Sequence, residues 1–475
     1  MEQKVLALYD FASKQEFIYR TSKIKEISGA SEILTNLYRK FVKIANKLNI
    51  IYDTKSEFDI NNFTADGQVL YDGGGSLMVL FQNKDKYVEF NRITSVYLLK
   101  NIPTLRMIAC CVPFTGDFKQ DRCNLYRKNR INKNLHPSYD LTAVTPMTQI
   151  DPMTFLPVVY KDTTIDISLS ADRLCKQNAY KSVDKTDFNL DDFDGWAAVI
   201  YIDGNSMGKR LLNCSSSDYN EGVKKLRLFS ENVNKAFVTE PLNKIKGIIT
   251  GSENKGFRQV IGGGDEITII CDAKIALKLT EAYFDRLIEA NKYLPEDEKN
   301  YACAGIAVFH AKAPFTVAYE IAEAACESAK ERAHDNNGNY LDFYYCHAGV
   351  TADFKTLRNR EQYITARPYS YEDAKEKFRK YMPLLQNAGR SNVKALGDAA
   401  QLGFSEYLFE AERVNSYLEG EDYLKTVETV ESLETDKEYI KPEEEMKIIY
   451  DMSEFYDLWF EKESDSDAKA DENRA

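Results

Sequence analysis

Three acids set among glycines are the residues of this 475-residue sequence best suited to chemistry: Asp203, and Asp265 and Glu266 within Gly263-Gly264-Asp265-Glu266. Asp203 closes an apolar run, 197–203, that reads as a strand central in its sheet. Asp265 and Glu266 sit where two further apolar runs meet around glycines, which is a hairpin signal. In a sheet of β-α-β-β-α-β order the first and third strands are neighbours, so the carboxylates can converge. Acids gathered at one spot repel each other unless cations hold them. Two ions of Mg²⁺ or Mn²⁺ would take these carboxylates together with phosphate oxygens. Such a pair can activate a 2′ or 3′ hydroxyl and stabilise a leaving pyrophosphate. Gly263 and Gly264, with Gly204-Asn205 after the strand, let a triphosphate approach the backbone. Alone, Gly-Gly-Asp-Glu would be an ordinary solvated turn; the combination with Asp203 is what points to chemistry.

The elements that must position these acids occur twice. Residues 4–9 read as a strand, 24–48 as a helix with Leu34, Leu37, Phe41 and Ile44 on one face, 69–81 as a hairpin around Gly73-Gly74-Gly75, 87–99 as a helix and 105–112 as a strand. The same order returns as strand 197–203, helix 222–237, hairpin 257–271, helix 273–291 and strand 301–309. Tyr9-Asp10 falls where Ile202-Asp203 falls, and Gly73-Gly74-Gly75-Ser76-Leu77 is aligned with Gly262-Gly263-Gly264-Asp265-Glu266. The turn glycines are in both copies and the two turn acids only in the second, so a duplication with one active and one silent half is the economical reading. The fold class is α+β: two ferredoxin-like units, 1–112 and 194–348, joined by a segment 113–193 and followed by a helical domain, 349–460.

Composition agrees with a folded, non-membrane chain. Hydrophobic residues make up 44 %, with 30 Tyr and 25 Phe, which argues against disorder. The net charge of −12 does not suit a general nucleic-acid coat. Part of that acid lies in 461–475, read as a disordered tail. No apolar run reaches membrane-spanning length, and the N-terminus does not read as a signal peptide, so a cytoplasmic location is expected. The nine cysteines contain no Cys-x-x-Cys pair and read as reduced, buried thiols without zinc. A basic stretch, 119–133, with Arg122, Arg127, Lys128 and Arg130 around Tyr126, is a solvated surface or an RNA contact. His334-Asp335 is read as structural, and Tyr371, Phe378 and Tyr381 as core.

Gly263-Gly264-Asp265-Glu266 resembles the Gly-Gly-Asp-Asp or Gly-Gly-Asp-Glu signature of the palm domain shared by diguanylate cyclases and the large cyclase subunit of type III CRISPR effector complexes. The resemblance to the second is wider. Lys25-Glu-Ile-Ser-Gly-Ala-Ser31 looks like its first-palm helix motif, Asp203-Gly-Asn-Ser-Met-Gly208 like its strand end, and Ala304-Gly-Ile-Ala-Val-Phe-His-Ala-Lys-Ala-Pro314 with Ala329-Lys330 like its later palm segment. The match spans about residues 4–345. It implies two palms face to face, each binding one nucleoside triphosphate, ATP being favoured, and a cyclic oligonucleotide messenger as product in antiviral signalling. Asp203 and Asp265 would hold the metals with Glu266 assisting, and Lys330 would contact a triphosphate. Ser28, Gly29 and Ser31, with Gly74, Gly75 and Ser76, would line the second nucleotide. An activating RNA or a small protein partner is also implied.

Departures from that family are visible. Asn205 stands where Asp is frequent, Glu266 replaces the second Asp, and 144–159 has none of the zinc cysteines. No His-Asp nuclease domain is expected, because Lys4 already begins a palm strand. Two rival readings remain. One is a diguanylate-type cyclase, which the duplicated palm in one chain disfavours. The other is an inactive palm scaffold, which the retained acids disfavour.

Overall fold

Along β1 (Val5–Ala12) side chains alternate between two buried faces, with Val5, Ala7, Tyr9 and Phe11 on one and Leu6 and Leu8 on the other. Such a strand needs cover on both sides, and the computed structural model supplies it. The structure describes residues 3–460 apart from 56, 136–146, 163–166, 182–192, 194, 215, 250–255, 335–336, 347–352, 419–423 and 425–440. The expected acidic tail, Asp335 and the first residues of the cysteine-free stretch, 144–146, lie outside these residues.

After β1 come α1 (Lys14–Tyr19), α2 (Ile24–Ile44), β2 (Ile50–Ile51), β3 (Gly67–Gly73), β4 (Ser76–Phe81), α3 (Lys84–Asn101) and β5 (Arg106–Pro113). The sheet order is β2-β3-β4-β1-β5, with β1 antiparallel to β4 and β5. Apart from the edge strand β2, this is the expected ferredoxin-like arrangement. Helices α2 and α3 cover one face through Ile27, Leu37, Phe41, Tyr87 and Phe90. Helix α3 starts where the Asn83 side chain accepts from the Lys86 N–H.

The basic stretch forms α4 (Phe118–Leu135), which packs on the opposite face of this sheet rather than standing apart in a linker. Phe118 and Leu125 are buried there, and Lys128 Nζ donates to the Cys111 carbonyl at 2.9 Å. The hairpin β6 (Val158–Asp162) and β7 (Ile167–Ser170) and helix α5 (Ala171–Tyr180) follow. Buried charges join α5 to α2: Arg173 lies 3.0 Å from Glu26 and 3.1 Å from Asp151. Each charge is paired, as burial requires.

The second unit runs β8 (Trp196–Gly204), α6 (Met207–Asn213), α7 (Tyr219–Asn234), α8 (Glu240–Ile249), β9 (Phe257–Gly263), β10 (Glu266–Asp272), α9 (Ala276–Asn291), β11 (Ala302–His310), α10 (Phe315–Ala333) and β12 (Tyr340–Tyr345). Then come α11 (Phe354–Glu361), β13 (Tyr369–Ser370), α12 (Tyr371–Ala388), α13 (Arg390–Leu402), α14 (Phe404–Asn415) and α15 (Pro442–Phe455). Its sheet order, β13-β12-β11-β8-β10-β9, repeats the first and adds β12 and β13. Strand β12, parallel to β11, has no counterpart in the sequence reading. Phe343 on β12 meets Phe378, Phe455 and Trp459, so the C-terminal helices share a core with the second sheet. Tyr371, Phe378 and Tyr381 are buried in it as expected.

The two units exchange helices. Helix α2 of the first packs against β9 of the second, and α7 of the second against β3 of the first. Tyr219, Val223 and Leu226 on α7 share a core with Leu70 and Leu80. One apolar core holds Tyr9 and Phe41 together with Val199, Tyr201 and Cys303. The nine cysteines are free thiols, but only Cys110, Cys271, Cys303 and Cys326 are buried, and Cys123 is exposed. Among the described residues no helix is long and apolar enough to cross a membrane.

Candidate active site between the palms

Strand β8 delivers Asp203 to the mouth of a 1230 Å³ cavity walled by both units. Glu266, first residue of β10, lies directly across the ladder from Asp203, and Asp265 occupies the turn between β9 and β10. The Gly204 N–H donates to the Asp265 carbonyl at 3.2 Å. Gly204 is required by close approach: an added Cβ would meet Asp265 Cβ at 2.8 Å. Gly264 has φ +69°, which a side chain rarely adopts, and it touches the other palm, since a Cβ there would lie 4.0 Å from Gly74 Cα. The two glycine turns therefore meet tip to tip, and the convergence expected of Asp203, Asp265 and Glu266 is present.

Electrostatics mark the acids as strained for charge. Burial and then the nearby Asp203 push Asp265 up to about 6, and the same two causes push Glu266 up to about 7. Lys330 on α10 places Nζ 2.5 Å from Asp203 Oδ2 and 3.0 Å from Glu327. Burial works against its charge, yet Asp203 prevails and raises its pKa. Among the described residues no three His, Cys, Asp or Glu side chains are grouped to hold a metal alone. The donor set nonetheless suits a hard cation completed by phosphate oxygens: two desolvated carboxylates beside a third, on a glycine turn open to ligand. Asp203, Asp265 and Glu266 are the residues that would hold it.

Other expected site residues are distributed unevenly. Ser31, Gly73, Gly74, Gly75, Gly263 and Gly264 line the cavity; Ser28, Gly29, Ser76, Gly204 and Asn205 do not. Gly29 serves helix packing instead, because a Cβ there would lie 2.0 Å from the Lys176 carbonyl on α5. Asn205 is tied behind the strand end, its N–H donating to Tyr301 O at 2.8 Å and its Nδ2 to Gly338 O at 3.1 Å. Lys330 faces a shallower hollow beside Glu327, Glu331 and His334 and reaches the main cavity through Asp203.

The ladders also correct the alignment of the two turns by one residue. Leu77 pairs with Tyr9 and Ile267 with Ile202, so Gly75 corresponds to Asp265 and Ser76 to Glu266. Further correspondences escaped the sequence reading. Ser13 and Ser206, each three residues past the strand-end Asp, have φ of 53° and 60°, an uncommon conformation for a side-chain-bearing residue. Phe118 and Phe315 both open helices, and Lys133 and Lys330 lie fifteen residues on. Lys133 Nζ is 2.5 Å from Asp10 Oδ2, repeating the pair of Lys330 with Asp203. The signal that could have found these was the offset from each Asp and each Phe, hidden because the helices otherwise differ in composition. In the first palm Arg39, Tyr52 and Asp72 also line the cavity, with a Tyr52–Asp72 hydrogen bond.

The fold and site together define a two-palm protein with a Gly-Gly-Asp-Glu turn in its second palm. Residues 196–338 match the family model of the Cas10/Cmr2 second palm domain, so the expected resemblance to the palm subunit of type III CRISPR complexes is borne out at the level of palm and fold. The chain is similar in structure to a Csm1–Csm4 cassette in complex with pppApApA (TM-score 0.57, 14 % identity, 95 % of this chain and 69 % of that one). It is similar to Csm1 of T. onnurineus (TM-score 0.55, 15 % identity, 87 % and 64 %) and to the cassette in complex with cA3 (TM-score 0.52, 15 % identity, 84 % and 62 %). The chain thus spans less than two thirds of the length of two of these three. No curated protein matches it.

Proposed function

We propose that this protein is a nucleotidyl cyclase that joins nucleoside triphosphates, ATP foremost, into a cyclic oligonucleotide messenger by metal-assisted phosphoryl transfer in CRISPR-type antiviral signalling. The observation that carries the reading is the meeting of Asp203, Asp265 and Glu266 on a glycine turn that faces a second glycine turn across one cavity. Divalent ions, when bound, would polarise the attacking hydroxyl and neutralise the leaving pyrophosphate. The chain's own part is to hold the carboxylates beside β8, keep the turns bare for phosphates and set two nucleotides against each other. Residues 1–112 and 194–348 serve as the two palms, with 349–460 buttressing the second. A protein partner, as Csm1 has in the Csm1–Csm4 cassette, and an activating RNA fit the same reading.

Incubation with each labelled triphosphate and Mg²⁺ or Mn²⁺, read by chromatography and mass spectrometry, tests this. The expected result is a cyclic product and released pyrophosphate. No product with any triphosphate, with and without added RNA, would favour the second reading, a nucleotide-binding scaffold. One observation favours that alternative: Asp203 is already engaged by Lys330.

Lys330→Ala separates two roles for that lysine. If Nζ leaves Asp203 to meet phosphate, KM for the nucleotide rises about tenfold with kcat little changed, as for one lost charge-assisted contact. Unaltered kinetics would end the assignment.

A further inference from the structure

We propose that the first palm is a metal-free nucleotide subsite in which the Lys14 ammonium supplies the positive charge that a divalent ion supplies in the second. Asp10 and Asp203 hold equivalent places near the ends of β1 and β8, and each carries a lysine, Lys133 from α4 after β5 or Lys330 from α10 after β11. The palms then diverge. Four residues past Asp203 stands Met207, and four residues past Asp10 stands Lys14. Lys14 Nζ lies 2.8 Å from Asp10 Oδ1 and 2.7 Å from the Gly75 carbonyl, in the cavity wall beside the turn. An ammonium has three donors; two point into the protein and the third remains for a ligand.

The turn is built around this group. Where the second palm carries Asp265 and Glu266, the first carries Gly75 and Ser76, so no turn acid is present to draw a cation. A Cβ on Gly75 would lie 2.4 Å from Lys14 Nζ, and its φ of +70° favours glycine. Two ammonium groups on the single Asp10 carboxylate, with Arg39 set against Asp72 in the same wall, leave a surplus positive charge, whereas the second palm sets three carboxylates against one lysine. The first arrangement asks for an anion and the second for a cation. The polyphosphate of a nucleoside triphosphate is the anion that the cavity's size and glycine turn admit.

This rests on the reading that the cavity takes nucleoside triphosphates, though not on catalysis. Equilibrium dialysis of the full chain with labelled ATP, and GTP, CTP and UTP in turn, in excess EDTA and then in excess Mg²⁺, tests it. The expected result is one equivalent bound in EDTA and a second only with Mg²⁺. Lys14→Gln should weaken the EDTA-resistant equivalent by about tenfold or more while sparing the Mg²⁺-dependent one, and Lys14→Arg should stay close to wild type. Gly75→Ala, which displaces the ammonium without removing it, should act like Lys14→Gln. The pair Asp265→Asn and Glu266→Gln should do the reverse. Binding that needs Mg²⁺ for both equivalents, or an EDTA-resistant equivalent indifferent to Lys14→Gln, overturns the proposal alone. No binding of any triphosphate in either buffer overturns the nucleotide reading with it.

Discussion

A protein carrying Asp265→Ala and Glu266→Ala is expected to lose product formation by at least about a thousandfold, the scale of removing a transition-state charge stabiliser, and to remain folded. Both carboxylates approach Asp203 in a partly desolvated site, and their raised pKa values show the cost of charging them without a cation. Metal and phosphate would relieve that cost, so under the proposed reaction the acids are expected to be dispensable for folding and required for chemistry. The same shifts make a stability prediction of definite sign. Unfolded, these groups ionise near their ordinary values, 3.8 and 4.5, and folded at about 6 and about 7. Between those limits the folded chain binds more protons than the unfolded one, so their contribution makes stability fall as pH rises through this window. Urea midpoints at pH 5 and pH 8 should therefore fall further for the wild type than for the double variant. Saturating Mg²⁺ at pH 8 should restore the wild type and leave the variant unmoved. Activity that survives the double substitution would remove the turn acids from the mechanism.

Gly305→Ala is expected to be the most damaging single methyl group in the second palm. A Cβ at Gly305 would lie 1.9 Å from the Ala322 carbonyl and 2.5 Å from the Cys326 N–H. Both are helix backbone, which cannot rotate aside as a side chain can. Helix α10 approaches β11 this closely because its inner face is small: Ala318, Ala322, Ala325, Cys326 and Ala329 are all buried. The methyl group must lift α10, at about 3 kcal/mol or more for an overpacked core, and Lys330, two turns beyond Ala322, moves away from Asp203. A lowered urea midpoint together with lost activity is the expected pair of results. Gly208→Ala, with nothing within 4 Å of the added Cβ, serves as the control and should be neutral or slightly stabilising in its helix. If Gly305→Ala behaves like Gly208→Ala, the close β11–α10 packing is not what holds this side of the site.

Much of this architecture was legible because it follows from local periodicity. The apolar run 197–202 and the apolar runs that meet around glycines within 257–271 identify strands and a hairpin, and their repetition identifies two copies. The Asp203 and Asp265-Glu266 pairing followed from strand order alone. Strand β12 was harder to see: Tyr340–Tyr345 has no polar alternation, since it is covered on both faces by α10 and the C-terminal helices. Helix α4 read as a basic linker because its apolar residues are few; Phe118 and Leu125 bury it, while Arg122, Lys128 and Lys133 end on carbonyls and on Asp10.

By itself the sequence determined the duplicated β-α-β-β-α-β order, the carboxylates of the second palm and the bareness of both glycine turns. Those are set by residue type and short-range spacing, which the backbone obeys locally. Only the tertiary structure decided that Gly75 corresponds in position to Asp265 instead of to Gly264, that Lys14 and Lys133 converge on Asp10, and that the turns meet across a common cavity. Register, charge pairing and helix exchange depend on which distant surfaces pack together, and a one-residue slip changes the partner of every side chain in a ladder.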